Sequence, residues 1–154
     1  LAPKYSVDSR DLVVHGTVEH GDHRGRTLGF PTANIDVSAI SIAHGVWAGW
    51  FERSEGGVYP AAVSVGVRST FYGRNGVKLL EAHLLDFEGD LYGESVRVSL
   101  AKRLRGQKKF ASLDDLVEQL ALDIALTREW AEGDLARVVR PRRRNSVELP
   151  ILTP

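Results

Sequence analysis

The chain has 154 residues, enough for one domain of ordinary size whose core needs no disulfide or metal staple. At 43% hydrophobic, 26% charged and without cysteine it reads as globular, and disulfides, zinc–thiolate sites and thiol nucleophiles are excluded. Net charge is zero but uneven: residues 134–154 carry five arginines against Asp134 and Glu148, a net of +3 that leaves −3 on the body, which argues against general nucleic-acid binding.

The first residues, Leu1-Ala2-Pro3-Lys4-Tyr5, show no signal-peptide pattern, and no apolar run approaches the roughly 18 residues that span a bilayer. A cytoplasmic protein without a membrane partner is expected. The missing initiator methionine suggests a piece of a longer chain.

Along the first two thirds, short runs rich in Val, Ile and aromatics predict strands at Leu12–Glu19, Gly45–Phe51, Tyr59–Val67, Lys78–Phe87 and Ser95–Leu100. In the last of these, Val96, Val98 and Leu100 share one face. Turns are expected at residues 54–57, 73–76 and 88–90, where glycines cluster; Asn75-Gly76 suits a tight hairpin. Strands at this spacing without intervening helices predict an antiparallel barrel or sandwich. The period then changes. Apolar residues at 113, 116, 117, 120, 121, 124 and 125 predict an amphipathic helix over Leu113–Trp130. Ser112 is its expected N-cap, Asp115 completes a capping box, and Gly133 lies just past the expected end. The arginine-rich residues 134–154 read as a tail, either solvated or docked on a partner.

Two segments carry chemistry. His20–Asn34 packs three glycines, two arginines and two histidines into 15 positions after a strand. Such a loop lets backbone N–H groups approach an anion while arginines balance phosphate charge, although many glycine loops are only turns. It matches neither a P-loop nor a dinucleotide fingerprint. Within it, Thr32 and Asn34 project from one face if the segment is extended. Their hydroxyl and amide oxygens suit Mg²⁺ held mainly by phosphates and water; the competing reading is a turn closed by backbone bonds. In the second segment, Glu81 and His83 share a strand face with Leu79, Leu85 and Phe87. A carboxylate in an apolar row needs partners or a task, so Glu81 is either a general base or a structural acid. His83 reads as a hydrogen-bonded core histidine. The five histidines show no zinc spacing, and there is no serine-hydrolase elbow.

Taken together, Gly25-Arg26-Thr27-Leu28-Gly29-Phe30-Pro31-Thr32-Ala33-Asn34-Ile35, Gly45-Val46-Trp47-Ala48-Gly49, the Glu81–Phe87 strand, Asp90-Leu91-Tyr92-Gly93, and Leu104-Arg105 with Lys108-Lys109-Phe110 resemble the riboflavin kinase family. They occur in the family's order and cover roughly residues 12–130. The resemblance implies a six-stranded antiparallel Greek-key barrel with a C-terminal α-helix packed on it. It implies a kinase domain over residues 1–133, ahead of the arginine-rich tail. The implied reaction is ATP-dependent phosphorylation of riboflavin to FMN and ADP, with Glu81 as base and Thr32 and Asn34 at Mg²⁺ and the nucleotide phosphates. Gly21 and Arg26 would belong to a flap over ATP, with Leu84, Asp86 and Tyr92 near the nucleotide. Arg105, Lys108 and Phe110 would lie on the flavin side. In bacteria this module usually follows an adenylyltransferase domain, which is expected to be missing or removed here. Two places depart from the family's habit: Ser69 stands where a proline is common, and Gly106-Gln107 where an acidic residue is usual after the Leu-Arg pair. A non-catalytic flavin-binding or regulatory module is the alternative.

Overall fold

The alternating segments become antiparallel strands in the computed structural model, which describes residues 11–21, 29–68 and 76–139. Among these residues stand six strands: β1 (Leu12–Thr17), β2 (Ala33–Asp36), β3 (Gly45–Glu52), β4 (Val58–Arg68), β5 (Val77–Leu84) and β6 (Ser95–Arg105). One helix, α1 (Leu113–Val139), follows them. The spatial order is β1-β6-β3-β4-β5-β2. β3, β4 and β5 form a meander and β6 returns beside β3, which makes a Greek key. The two sheet edges meet where Glu19, just past β1, bridges to Asn34 of β2. The result is the expected nearly closed barrel, with α1 packed against β3 and β4.

Side-chain alternation fixes what faces inward. Ala61, Val63 and Val65 of β4 are fully buried in the core, as are Leu80 and Ala82 of β5. Val96, Val98 and Leu100 join them from β6, as their alternation predicts. The neighbours of these residues face out: Ala62 and Ser64 on β4, Glu81 and His83 on β5. β3 is buried on both sides. Phe51 points into the barrel, while Trp50 lies under the helix with its ring 5.4 Å from that of Trp130.

The helix starts as its sequence predicts. Ser112 Oγ accepts a hydrogen bond from the Asp115 N–H at 3.1 Å, and Asp114 and Asp115 lie in the first turn. Its end and its packing face differ from expectation. The helix runs through Gly133 to Val139, crossing the expected boundary, and the Trp50 Nε1–H donates to Asp134 at 3.1 Å. Tertiary contact carries the helix past a residue of poor propensity. Ala121 and Ala125 are exposed, and Leu113 is 53% exposed. The most buried positions include Asp123 and Thr127. Both are satisfied: Thr127 Oγ1 donates to the Asp123 carbonyl at 2.8 Å, and the Asp123 carboxylate holds Arg105. An apolar count cannot find a buried face whose centre is polar.

Candidate active site

Two cavities of unlike character meet at Thr32, which lines both. The larger, about 540 Å³, lies between the outer wall of the barrel and α1. Its walls are mostly apolar, with Phe30, Phe110 and Leu116 among them, and Glu81, His83 and Arg105 supply polar groups. The second, about 440 Å³, is lined by Gly21, Asn34, Leu84, Phe87 and Tyr92.

Strand pairing builds the junction. Asn34 of β2 sits directly opposite Glu81 of β5. Opposite residues on an antiparallel pair point to one face with Cβ atoms about 4.5–5.5 Å apart. Asn34 is buried and Glu81 half-buried. The Phe30-Pro31 approach is pinned by His83, whose Nδ1–H donates to the Pro31 carbonyl at 2.7 Å and whose ring meets Phe30 edge-on. His83 is therefore a hydrogen-bonded positioning residue. Gly21 packs on Asn34: a Cβ at position 21 would lie 2.1 Å from Asn34 Nδ2. Only glycine lets this stretch of chain cover the amide without displacing it.

The other expected site residues divide. Leu84 and Tyr92 line the second cavity, and Tyr92 stacks on His20 with ring centroids 3.5 Å apart. Asp86 does not line it. Asp86 takes a left-handed backbone (φ 56°) and forms a two-point ion pair with Arg128 of α1, at 2.7 and 3.1 Å. Arg105 and Phe110 line the first cavity. Lys108 is exposed and donates to Gln119 Oε1 at 3.1 Å, outside the cavity wall. Arg26 and Ser69 lie outside the described residues, as does the tail beyond Val139. Gln107 spends its side-chain amide N–H groups on β4, donating to Ser64 Oγ at 3.0 Å and to the Val65 carbonyl at 2.9 Å.

Sequence reading missed Arg53 and Glu94, which brace the second cavity. Arg53 lies over the Phe87 ring, 5.3 Å from its centroid. Arg53 Nε donates to Glu94 at 3.1 Å, and a second bond runs from Nη2. These hydrogen bonds hold the Glu94 carboxyl below its ordinary range. A depressed folded pKa contributes stability that is present above the unfolded-state value and lost as pH falls through the folded one. The gap in melting temperature between the wild type and Glu94→Gln is therefore expected to narrow between neutral pH and about pH 3. Thermal melts across that range test it; a constant gap would count against the pair.

Among the described residues, no group of three or more His, Cys, Asp or Glu side chains is placed to hold a metal ion. A divalent cation at Thr32 and Asn34 would draw one hydroxyl and one amide oxygen from the protein and the rest from phosphate and water. That donor set fits Mg²⁺, which keeps most of its water and favours substrate phosphates. No helix among the described residues is long and apolar enough to cross a membrane.

The riboflavin kinase (Flavokinase) family model matches residues 9–131. The chain belongs to the riboflavin kinase family. Among curated relatives, the bifunctional riboflavin kinase/FMN adenylyltransferase of Escherichia coli K12 is 39% identical over 135 residues, covering 84% of this chain and 41% of that protein. An RNA-binding riboflavin kinase of Bacillus subtilis is 33% identical over 135 residues, covering 88% of this chain and 57% of its own. This riboflavin kinase family member thus spans only about two fifths to three fifths of these relatives. Among solved structures, the riboflavin kinase of Trypanosoma brucei superposes with a TM-score of 0.61 at 26% identity, over 83% of this chain and 85% of that one. A Streptococcus pneumoniae chain described as a macrolide-efflux protein superposes with a TM-score of 0.67 at 40% identity, over 78% and 39%.

Proposed function

We propose that this chain transfers the γ-phosphoryl group of ATP to the ribityl 5′-hydroxyl of riboflavin, giving FMN and ADP. The observation that carries the reading is the junction at Thr32. A largely apolar cavity suits a planar tricyclic ring, a second cavity suits a nucleotide, and Glu81 and Asn34 stand opposite each other where the two meet.

In this reading Glu81 accepts the 5′-hydroxyl proton as the oxygen attacks the γ-phosphorus. The new P–O bond forms while the bond to ADP breaks. An alcohol is too weak an acid to ionise beforehand, so the base need act only as the bond develops. Thr32 and Asn34 would hold the Mg²⁺ that accompanies the phosphates, and the ion would lower the cost of charge on their oxygens. Phosphoryl transfer asks chiefly for positioning and charge neutralisation, and rigid paired strands supply the first. Gly21 belongs to the cover over ATP and Arg26 is assigned to the same nucleotide by the family resemblance, with Leu84, Asp86 and Tyr92 on the nucleotide side. Asp86 serves there through its tie to Arg128, which fixes the turn after β5. Arg105, Lys108 and Phe110 serve the flavin side, Lys108 through Gln119.

Neither nucleic acid nor membrane enters the proposal, and a cytoplasmic site of action goes with it. The relatives' second activity, FMN adenylylation, is assigned to no residue of this chain. A non-catalytic flavin module is disfavoured because a carrier needs neither a carboxylate nor a phosphate-binding pair at the junction. Incubating the purified protein with riboflavin, ATP and Mg²⁺ and separating the flavins by chromatography tests the reading. FMN is expected to accumulate. Riboflavin binding without FMN would transfer the case to the carrier.

A further inference from the structure

Asp123 is the most deeply placed carboxylate in the helix, only 2% exposed, and the mechanism above gives it no task. A buried carboxylate is costly unless its oxygens are fully used. Here they are. Oδ2 accepts from Arg105 Nη2 at 2.7 Å, and Oδ1 accepts from Arg105 Nε at 2.9 Å and from Gln119 at 3.0 Å. Gln119 in turn accepts from Lys108. The Arg105 side chain is itself only 13% exposed, and its Nη1 donates to the Gly106 carbonyl at 3.1 Å.

A guanidinium carries five N–H donors in one plane. Three of them are spent on Asp123 and Gly106, leaving one on each Nη. Both Asp123 and Arg105 line the larger cavity. The two-point grip fixes the plane, so the remaining donors are held in the cavity wall instead of sampling rotamers.

We propose that Asp123 is the positioning residue of the flavin-side cavity, fixing the Arg105 fork so that its two remaining donors meet an acceptor oxygen of riboflavin. This rests on the riboflavin reading. It makes α1 a functional wall of the site as well as a structural brace. Asp123 acts through Arg105 and touches no reacting atom.

The test is a double-mutant cycle read by riboflavin affinity, using quenching of flavin fluorescence, with ATP kinetics alongside. Asp123→Asn is expected to weaken riboflavin binding about tenfold, the scale of a hydrogen bond to a charged group, while the KM for ATP moves less than about twofold. In an Arg105→Ala background the same substitution is expected to cost nothing further. Asp123→Glu is expected to recover part of the affinity. An unchanged affinity in Asp123→Asn overturns the proposal. So does an equal loss in both backgrounds, since that loss would come from the fold. Should Asp123→Asn fail to fold, Arg105→Lys decides. It leaves a cation for Asp123 but no fork, and it is expected to bind riboflavin as weakly as Arg105→Ala; wild-type affinity overturns the proposal. If the wild type binds no riboflavin at all, the riboflavin reading itself falls.

Discussion

Glu81→Gln is expected to lower kcat for FMN formation by about two to four orders of magnitude, the usual contribution of a positioned general base. Riboflavin and ATP binding should change little, because glutamine keeps the shape and one acceptor oxygen. Glu81 is half-buried on the outward face of β5, in the wall of the apolar cavity and opposite Asn34. A loss in kcat with KM unchanged marks an interaction made only in the transition state. If Glu81 were only a structural acid, the substitution would lower the melting temperature and leave turnover of the folded fraction near normal. Steady-state kinetics and a thermal melt on one preparation separate the two. Turnover within about fivefold of wild type would refute the base.

Gly49→Ala is expected to destabilise the fold by about 3 kcal/mol or more, above the ordinary range for overpacking a core. Gly49 lies on β3 against β6, beside an irregularity in register between Ala48 and Gly49. A Cβ there would sit 1.8 Å from the Ser99 carbonyl oxygen. That atom belongs to the backbone of the neighbouring strand and no rotamer can move it, so the strands must part. At this chain length the loss corresponds to roughly 6–12 °C in melting temperature. Gly133→Ala is the control. It stands in α1 with nothing within 4 Å of its added Cβ, so it should stabilise by about 0.5–1 kcal/mol. Equal effects at the two positions would show that close approach at Gly49 is not what requires glycine.

Much of the barrel was legible because its signals are local. Val96, Val98 and Leu100 alternate, and all three point into the core. Ser112 caps the helix it precedes. β2 was not among the strands read from apolar runs, since Ala33–Asp36 is four residues long with two polar side chains. Its extended form was anticipated only through the shared face of Thr32 and Asn34. On β5, Leu80, Ala82 and Leu84 enter the core, and Glu81 and His83 face the cavity, so His83 is hydrogen-bonded as expected but is not a core histidine. A carboxylate on that outward face borders a cavity and escapes the full cost of burial in a core.

Composition and periodicity alone led to an antiparallel barrel or sandwich, the helix start, and Thr32, Asn34 and Glu81 as the residues to watch; the choice of a barrel came from the family resemblance. Each depends on neighbours within a few positions or on a short motif. Strand pairing set Asn34 across from Glu81, 47 positions away along the chain. Packing of α1 buried Asp123, bound it to Arg105, turned Asp86 toward Arg128 and left Lys108 at the surface. A charged side chain carries no local sign of its partner. Whether it faces a substrate or another side chain depends on which element the fold lays over it, and long-range burial makes that choice.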